Sequence, residues 1–179
     1  MALRSVLVGV LGSLMLSESA MALSCRPADL AQTMNEAKAS DKLYHVFVGR
    51  FSFNYRPIRP GFEERNRMGP IPPQVTKARF NGFSLSPKRR YDVKLRDFPV
   101  DIEVSCAGPW CGAPPPKNER QIAFVEARRG LPPILRISAC PGNTFPVSPK
   151  DGQVKSLRQC FDKTCLSQER PVYEHYKSR

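Results

Sequence analysis

Two pairs of cysteines share one spacing. "CAGPWC" (106–111) and "CFDKTC" (160–165) each hold four residues between their sulfurs. Three chemistries use such pairs. Structural zinc sites separate paired ligands by two to four residues and bring two pairs to one ion, so Cys106, Cys111, Cys160 and Cys165 have the right count for a four-thiolate centre. Redox catalysis uses Cys-x-x-Cys with one stabilised thiolate. "WCGAP" (110–114) has the flanking tryptophan and proline of such a motif, but no second cysteine follows at that distance. The third chemistry is a disulfide staple.

The remaining cysteines decide among them. Cys25 and Cys140 bring the total to six, an even number. In an exported chain that count reads as three disulfides whose pairing the sequence leaves open. Neither histidine, His45 nor His175, neighbours a cysteine. The expectation is therefore three staples, with "CAGPWC" a clamped bend and Trp110 packed over it. No metal and no cofactor is expected.

Export is read from the first 22 residues. Arg4 precedes the short apolar run "SVLVGVLGSLML" (5–16), and "AMA" (20–22) fits a small-x-small cleavage site. This is the pattern of a signal peptide cleaved after Ala22. The run is too short for a comfortable membrane span, and no later segment reaches that length. A lipoprotein signal ending at Cys25 is the lesser alternative; it would leave an odd number of cysteines. The expected location is periplasmic or secreted. The absence of Asn-x-Ser/Thr sites favours a bacterial periplasm.

Catalytic constellations are sparse. No nucleophile elbow, phosphate loop or paired-histidine zinc motif occurs. His45 lies in a strand-like segment among aromatics, where a partly buried structural role is the expectation. Asp101 and Glu103 share one face of a predicted strand, a spacing at which two carboxylates could cooperate. Their expected place is solvent. No catalytic residue is predicted.

Charge is the stronger signal. The chain has 28 Lys+Arg against 16 Asp+Glu, a net +12, and loses one charge of each sign with the leader. The cations gather in "YRPIRP", "ERNR", "PKRR" and "ARRG". Such a balance steers polyanions and membrane surfaces towards the chain, while no nucleic-acid-binding motif is present. The proline-rich segment 55–73 is long for a loop in a compact domain and is the first candidate binding surface. Its residues Tyr55, Arg56, Arg59, Arg65 and Arg67, with Arg50 just before it, form the predicted ligand surface, with Phe51, Phe53 and Phe83 as aromatic neighbours.

The elements that must position these residues follow from periodicity. "PADLAQTMNEAKASD" (27–41) spaces Leu30, Met34 and Ala37 on one helical face, with Pro27 suited to the first turn. "KLYHVFVGRFSFN" (42–54) and "QVTKARFNGFSLS" (74–86) read as strands, the second with Val75, Ala78, Phe80 and Phe83 available for burial. Gly49 and Gly82 inside them mark bulges or bends. Residues 91–106 alternate as one or two strands. "QIAFVEARRG" (121–130) and "PILRISAC" (133–140) form a hairpin. Residues 148–161 carry Val154, Leu157 and Phe161 at helical spacing, and 166–179 form a loose tail. Eighteen prolines, concentrated between these runs, suit strands joined by stiff loops. The expected fold is mainly β: one disulfide-stabilised domain over 23–165, a five-stranded OB-like Greek-key barrel of antiparallel strands with flanking helices. An open β-sandwich is the alternative.

The export signal, the early Cys25, "YHVFVGRFSF", "ARFNGFSL", the cysteine-bearing bend, "IAFVEARRG", "LRISAC" and the late cysteine pair together resemble the netrin-like domain of tissue inhibitors of metalloproteinases, over roughly residues 25–165. The resemblance implies an oligosaccharide-binding-type barrel with the early cysteine tied to a later segment. Inhibition in that family uses a cysteine at the mature amino terminus. Here the expected mature start is Leu23, and "LSCRP" has one cysteine where the family has Cys-x-Cys. Inhibitory chemistry is therefore not expected to carry over. The functional expectation is an exported, non-enzymatic binding domain for an anionic polysaccharide, a lipid head group or an envelope protein. A protease-inhibitor-like protein, or an envelope enzyme, is the alternative.

Overall fold

A computed structural model describes residues 25–54, 71–108, 110–147 and 152–165. The predicted leader (1–22), the tail (166–179) and the ligand-surface residues Tyr55, Arg56, Arg59, Arg65 and Arg67 lie outside the described residues.

Helix α1 (Leu30–Ala39) leads into strands β1 (Tyr44–Phe53), β2 (Gln74–Ser84) and β3 (Val93–Val104). A two-residue ribbon, β4 (Cys106–Ala107) and β5 (Trp110–Cys111), precedes β6 (Gln121–Glu126), β7 (Ile134–Ile137) and β8 (Thr144–Pro146); helix α2 (Gln153–Gln159) follows. Asp29 caps α1, its side chain accepting from the Gln32 amide at 2.7 Å. Pro27 therefore stands before the helix instead of in its first turn.

The sheet runs β1-β2-β3-β7-β6, and β6 pairs back onto β1 through six registered residues, from Tyr44↔Glu126 to Gly49↔Gln121. The barrel is closed, which excludes the open sandwich. All contacts are antiparallel except β3–β7, which is parallel from Asp101↔Ile134 to Val104↔Ile137. This corrects the antiparallel expectation for a simple reason. A closed ring of five strands cannot alternate in direction all the way round, so one pair must run parallel.

Closure buries β1 and β6 on both faces. Inward, Phe47, Phe51, Phe80, Ile102, Val125 and Leu135 fill the barrel, and the Phe80 ring sits 4.9 Å from both Phe47 and Phe51. Outward, Val46, Val48, Ile122 and Phe124 meet Met34 of α1 and Leu157 of α2. Burying side chains of this size contributes roughly 1.5–3 kcal/mol each. The helices complete a second apolar layer outside the barrel wall. Leu30, Ala37, Val154 and Phe161 pack into it as their spacing predicts. Val75, by contrast, is exposed, because it shares the outer face of β2 with polar side chains.

Gly49 and Gly82 stand directly opposite each other in β1 and β2, and a bulge interrupts the β2–β3 register between Phe80 and Gly82. A Cβ on Gly49 would sit 2.2 Å from the Asn81 carbonyl oxygen and 2.7 Å from Gly82 Cα. The two backbones cross too closely for any side chain, and the Phe80 ring covers the gap. This is where the barrel wall bends.

All six cysteines pair: Cys25–Cys140, Cys106–Cys111 and Cys160–Cys165. The first ties the segment before α1 to the end of the β7 strand, and the third closes the turn after α2. Three disulfides indicate an oxidising, extracytoplasmic environment. No helix among the described residues is long and apolar enough to cross a membrane.

Candidate functional site

A groove of about 1130 Å³ lies on the barrel wall beside α2. Four parts of the chain build it. The end of β2 supplies residues 81–83, the start of β3 and the turn before it supply Arg89, Asp92 and residues 94–96, the approach to β6 supplies Arg120, and α2 supplies Val154, Lys155 and Arg158. Six of these side chains are cations and one is an acid.

That acid is already engaged. Arg158 grips Asp92 with both guanidinium nitrogens, Nη1 to Oδ1 at 2.7 Å and Nη2 to Oδ2, and Nη1 also donates to the Ser86 carbonyl at 2.8 Å. The Ser86 amide donates to Asp92 Oδ1 at 3.0 Å. The Arg158 hydrogen bond holds the Asp92 carboxyl below its ordinary value of 3.8, against a smaller opposing effect of burial. This clamp fixes α2 against the turn that opens β3 and so sets the width of the groove.

The other five cations, Arg89, Lys94, Arg96, Arg120 and Lys155, have no carboxylate partner among the described residues. Alternation along β3 puts Lys94 and Arg96 on one face, and Lys94 registers with Phe83 of β2. The Arg120 guanidinium lies 5.8 Å from the centre of the Phe83 ring. Phe83 and Val154 give the groove an apolar floor. Five like charges around one concavity repel one another, and a low-dielectric wall concentrates their field. An anion in the groove relieves that repulsion.

A second charged cluster behaves differently. Asp101 is buried at 4 % exposure; Lys77 reaches its Oδ1 at 2.9 Å and Arg128 its Oδ2. Arg136 bridges Glu103 and Glu126, bonding Glu126 Oε2 at 2.8 Å, and Lys42 reaches the same oxygen at 3.2 Å. Burial raises the Asp101 pKa, and the Lys77 and Arg128 hydrogen bonds outweigh it, leaving a net lowering. The Arg136 hydrogen bond likewise lowers Glu126. Asp101 and Glu103 thus do not face solvent as a free carboxylate pair. Cations from neighbouring strands saturate them, and the cluster is a strut across β2, β3, β6 and β7.

The remaining predicted residues are dispersed. Arg50 is exposed and donates from Nε to the Asn118 carbonyl at 2.7 Å; it is the strand partner of Asn81 but does not itself line the groove. His45 is exposed, not partly buried, with its ring centre 6.1 Å from that of Phe47. Trp110 is 48 % exposed, with ring carbons 3.9 Å from where a Cβ on Gly108 of the bend would stand. The ribbon explains why: Cys106 opposes Cys111 on one face, which leaves Ala107 and Trp110 paired on the other. With all cysteines in disulfides, no thiolate is left for zinc or exchange.

Of the groove, the sequence singles out only the basic run "PKRR", which contains Arg89, and the aromatic Phe83. Lys94 and Arg96 read as ordinary polar positions of a strand, and Lys155 and Arg158 as the polar face of a helix. Their alternation with Val93, Leu95 and Val154 was the available signal. No protein-family model, no curated protein and no solved structure matches the chain.

Proposed function

We propose that this chain is an exported, non-enzymatic binding module that takes anionic ligands of the cell envelope in the basic groove beside α2. One observation carries the reading: five cations without a carboxylate partner converge on a single concavity with an apolar floor. The chain's net charge of +12 adds long-range steering to the local site. The signal-like leader supplies the route to the envelope, and the three disulfides suit that destination. A binding role is favoured over catalysis because the buried acids are held ionised in ion pairs and the strand histidine His45 makes no ion pair among the described residues. A general base needs a free, poised group within reach of substrate.

The test is calorimetric titration of the oxidised protein with a sulfated tetrasaccharide and with pyrophosphate, on wild type and on Lys94→Glu/Arg96→Glu. Both positions are exposed, so the double variant keeps the fold. The expected result is a loss of affinity of at least about tenfold for both probes, as reversing two charges near an anion costs on the order of a kcal/mol each even in water. Unchanged affinity in the double variant overturns the reading.

A further inference from the structure

We infer that the groove is built for a single anionic amphiphile: a phosphate-type head group carrying an apolar chain, held as one soluble molecule and not as a sugar polymer or a bilayer surface. The inference rests on the anion-binding reading above and specifies its ligand.

The composition of the lining separates these ligands. A glycan is recognised through its hydroxyls, which need neutral amides and free carboxylates that both donate and accept. Among the lining side chains only Asn81 is a neutral amide, and the one carboxylate, Asp92, is committed to Arg158 and the Ser86 amide. The groove therefore has charge for an anion and little to read hydroxyls with.

It has something else to read. Phe83 and Val154 come from β2 and α2 and meet between the cations. Phe83 and Val154 belong to the apolar layer under the helices, and Leu95 packs against the barrel core. A small hydrated anion would leave this apolar floor in water. A ligand with a hydrocarbon chain covers it while its head group meets Lys94, Arg96 and Lys155. The site is concave and a little above the volume range of small-molecule pockets, so it has room for one such molecule along its length. A bilayer would need a convex or flat face.

The test uses soluble alkyl phosphates below their aggregation concentration. Inorganic phosphate, butyl, hexyl and octyl phosphate are titrated into the oxidised full chain, with octyl glucoside as a neutral amphiphile and phosphatidylglycerol vesicles as a surface. The expected result is affinity that climbs with chain length by up to roughly fourfold per methylene, the value of fully burying one CH₂ group. Lys94→Glu/Arg96→Glu abolishes this binding. Val154→Ser flattens the chain-length series. A flat series in wild type overturns the inference, as does equal binding of octyl glucoside, or binding to vesicles with none to octyl phosphate. If the sulfated tetrasaccharide and pyrophosphate still bind while the series is flat, only the amphiphile is wrong; if no anion binds, the anion-binding reading fails with it.

Discussion

Replacing Gly49 by alanine tests whether the barrel bends where β1 and β2 cross. The new Cβ would stand 2.2 Å from the Asn81 carbonyl oxygen, 2.7 Å from Gly82 Cα and 2.7 Å from Phe80 Cζ. Two of those three atoms are backbone and cannot rotate away. The third belongs to a fully buried ring wedged against Phe47 and Phe51. Overpacking that side chains can absorb costs about 1–3 kcal/mol, and here the strands themselves must separate, so at least about 3 kcal/mol is expected. For a domain of this size that lowers the melting temperature by roughly 10 °C. Gly142→Ala is the control: nothing lies within 4 Å of its Cβ and its backbone is not left-handed, so its effect stays within about 0.5 kcal/mol. Thermal and urea unfolding of the oxidised proteins, followed by circular dichroism, measures both. Equal stability of the two variants would refute the crossing. Because Asn81 and Gly82 also line the groove, Gly49→Ala should weaken anion binding even at temperatures where it remains folded.

Removing the Cys25–Cys140 bridge by a double serine substitution opens a sequence separation of 115 residues, against 5 for Cys106–Cys111. Chain entropy predicts losses of about 5 and about 2 kcal/mol respectively, and urea midpoints in that reversed order would contradict the loop-closure account. Acid stability follows from the carboxylates. Asp92, Asp101 and Glu126 titrate in the folded protein below their ordinary values of 3.8, 3.8 and 4.5. Their ion pairs therefore contribute fully above that range and are lost as pH falls through the lowered values. The melting temperature should hold from pH 7 to about 5 and drop steeply below about 4, with a shallower drop in Asp101→Asn; an equal slope in that variant would contradict the assignment.

The barrel was legible because its strands are written in period 2 with aromatic and β-branched residues, and because Gly49 and Gly82 interrupt two of them. What the sequence does not encode locally is which strand lies beside which. The parallel β3–β7 contact comes from ring parity, not from any motif. Cysteine pairing is likewise a matter of three-dimensional approach: Cys25 and Cys140 carry no mark of each other. The same limit hid the groove. Its cations come from positions 89 to 158, each unremarkable in its own element, and only α2 folding back over the β2–β3 wall brings them together. Asp101 and Glu103 were visible as a pair on one strand face. Their saturation by Lys77, Arg128 and Arg136 could not be read, since those cations arrive from neighbouring strands. Trp110 is half-exposed for a smaller reason. A two-residue ribbon clamped at Cys106–Cys111 has two faces, and the disulfide takes one of them.

The most direct measurement of the anion site is a residue-resolved one: amide chemical shifts of the oxidised, isotope-labelled protein during titration with pyrophosphate. The groove predicts saturable shifts concentrated at residues 81–83, 94–96 and 154–158, and their loss in Lys94→Glu/Arg96→Glu. Shifts spread evenly over the basic surface, or centred on Arg50 and Arg79 instead, would contradict it.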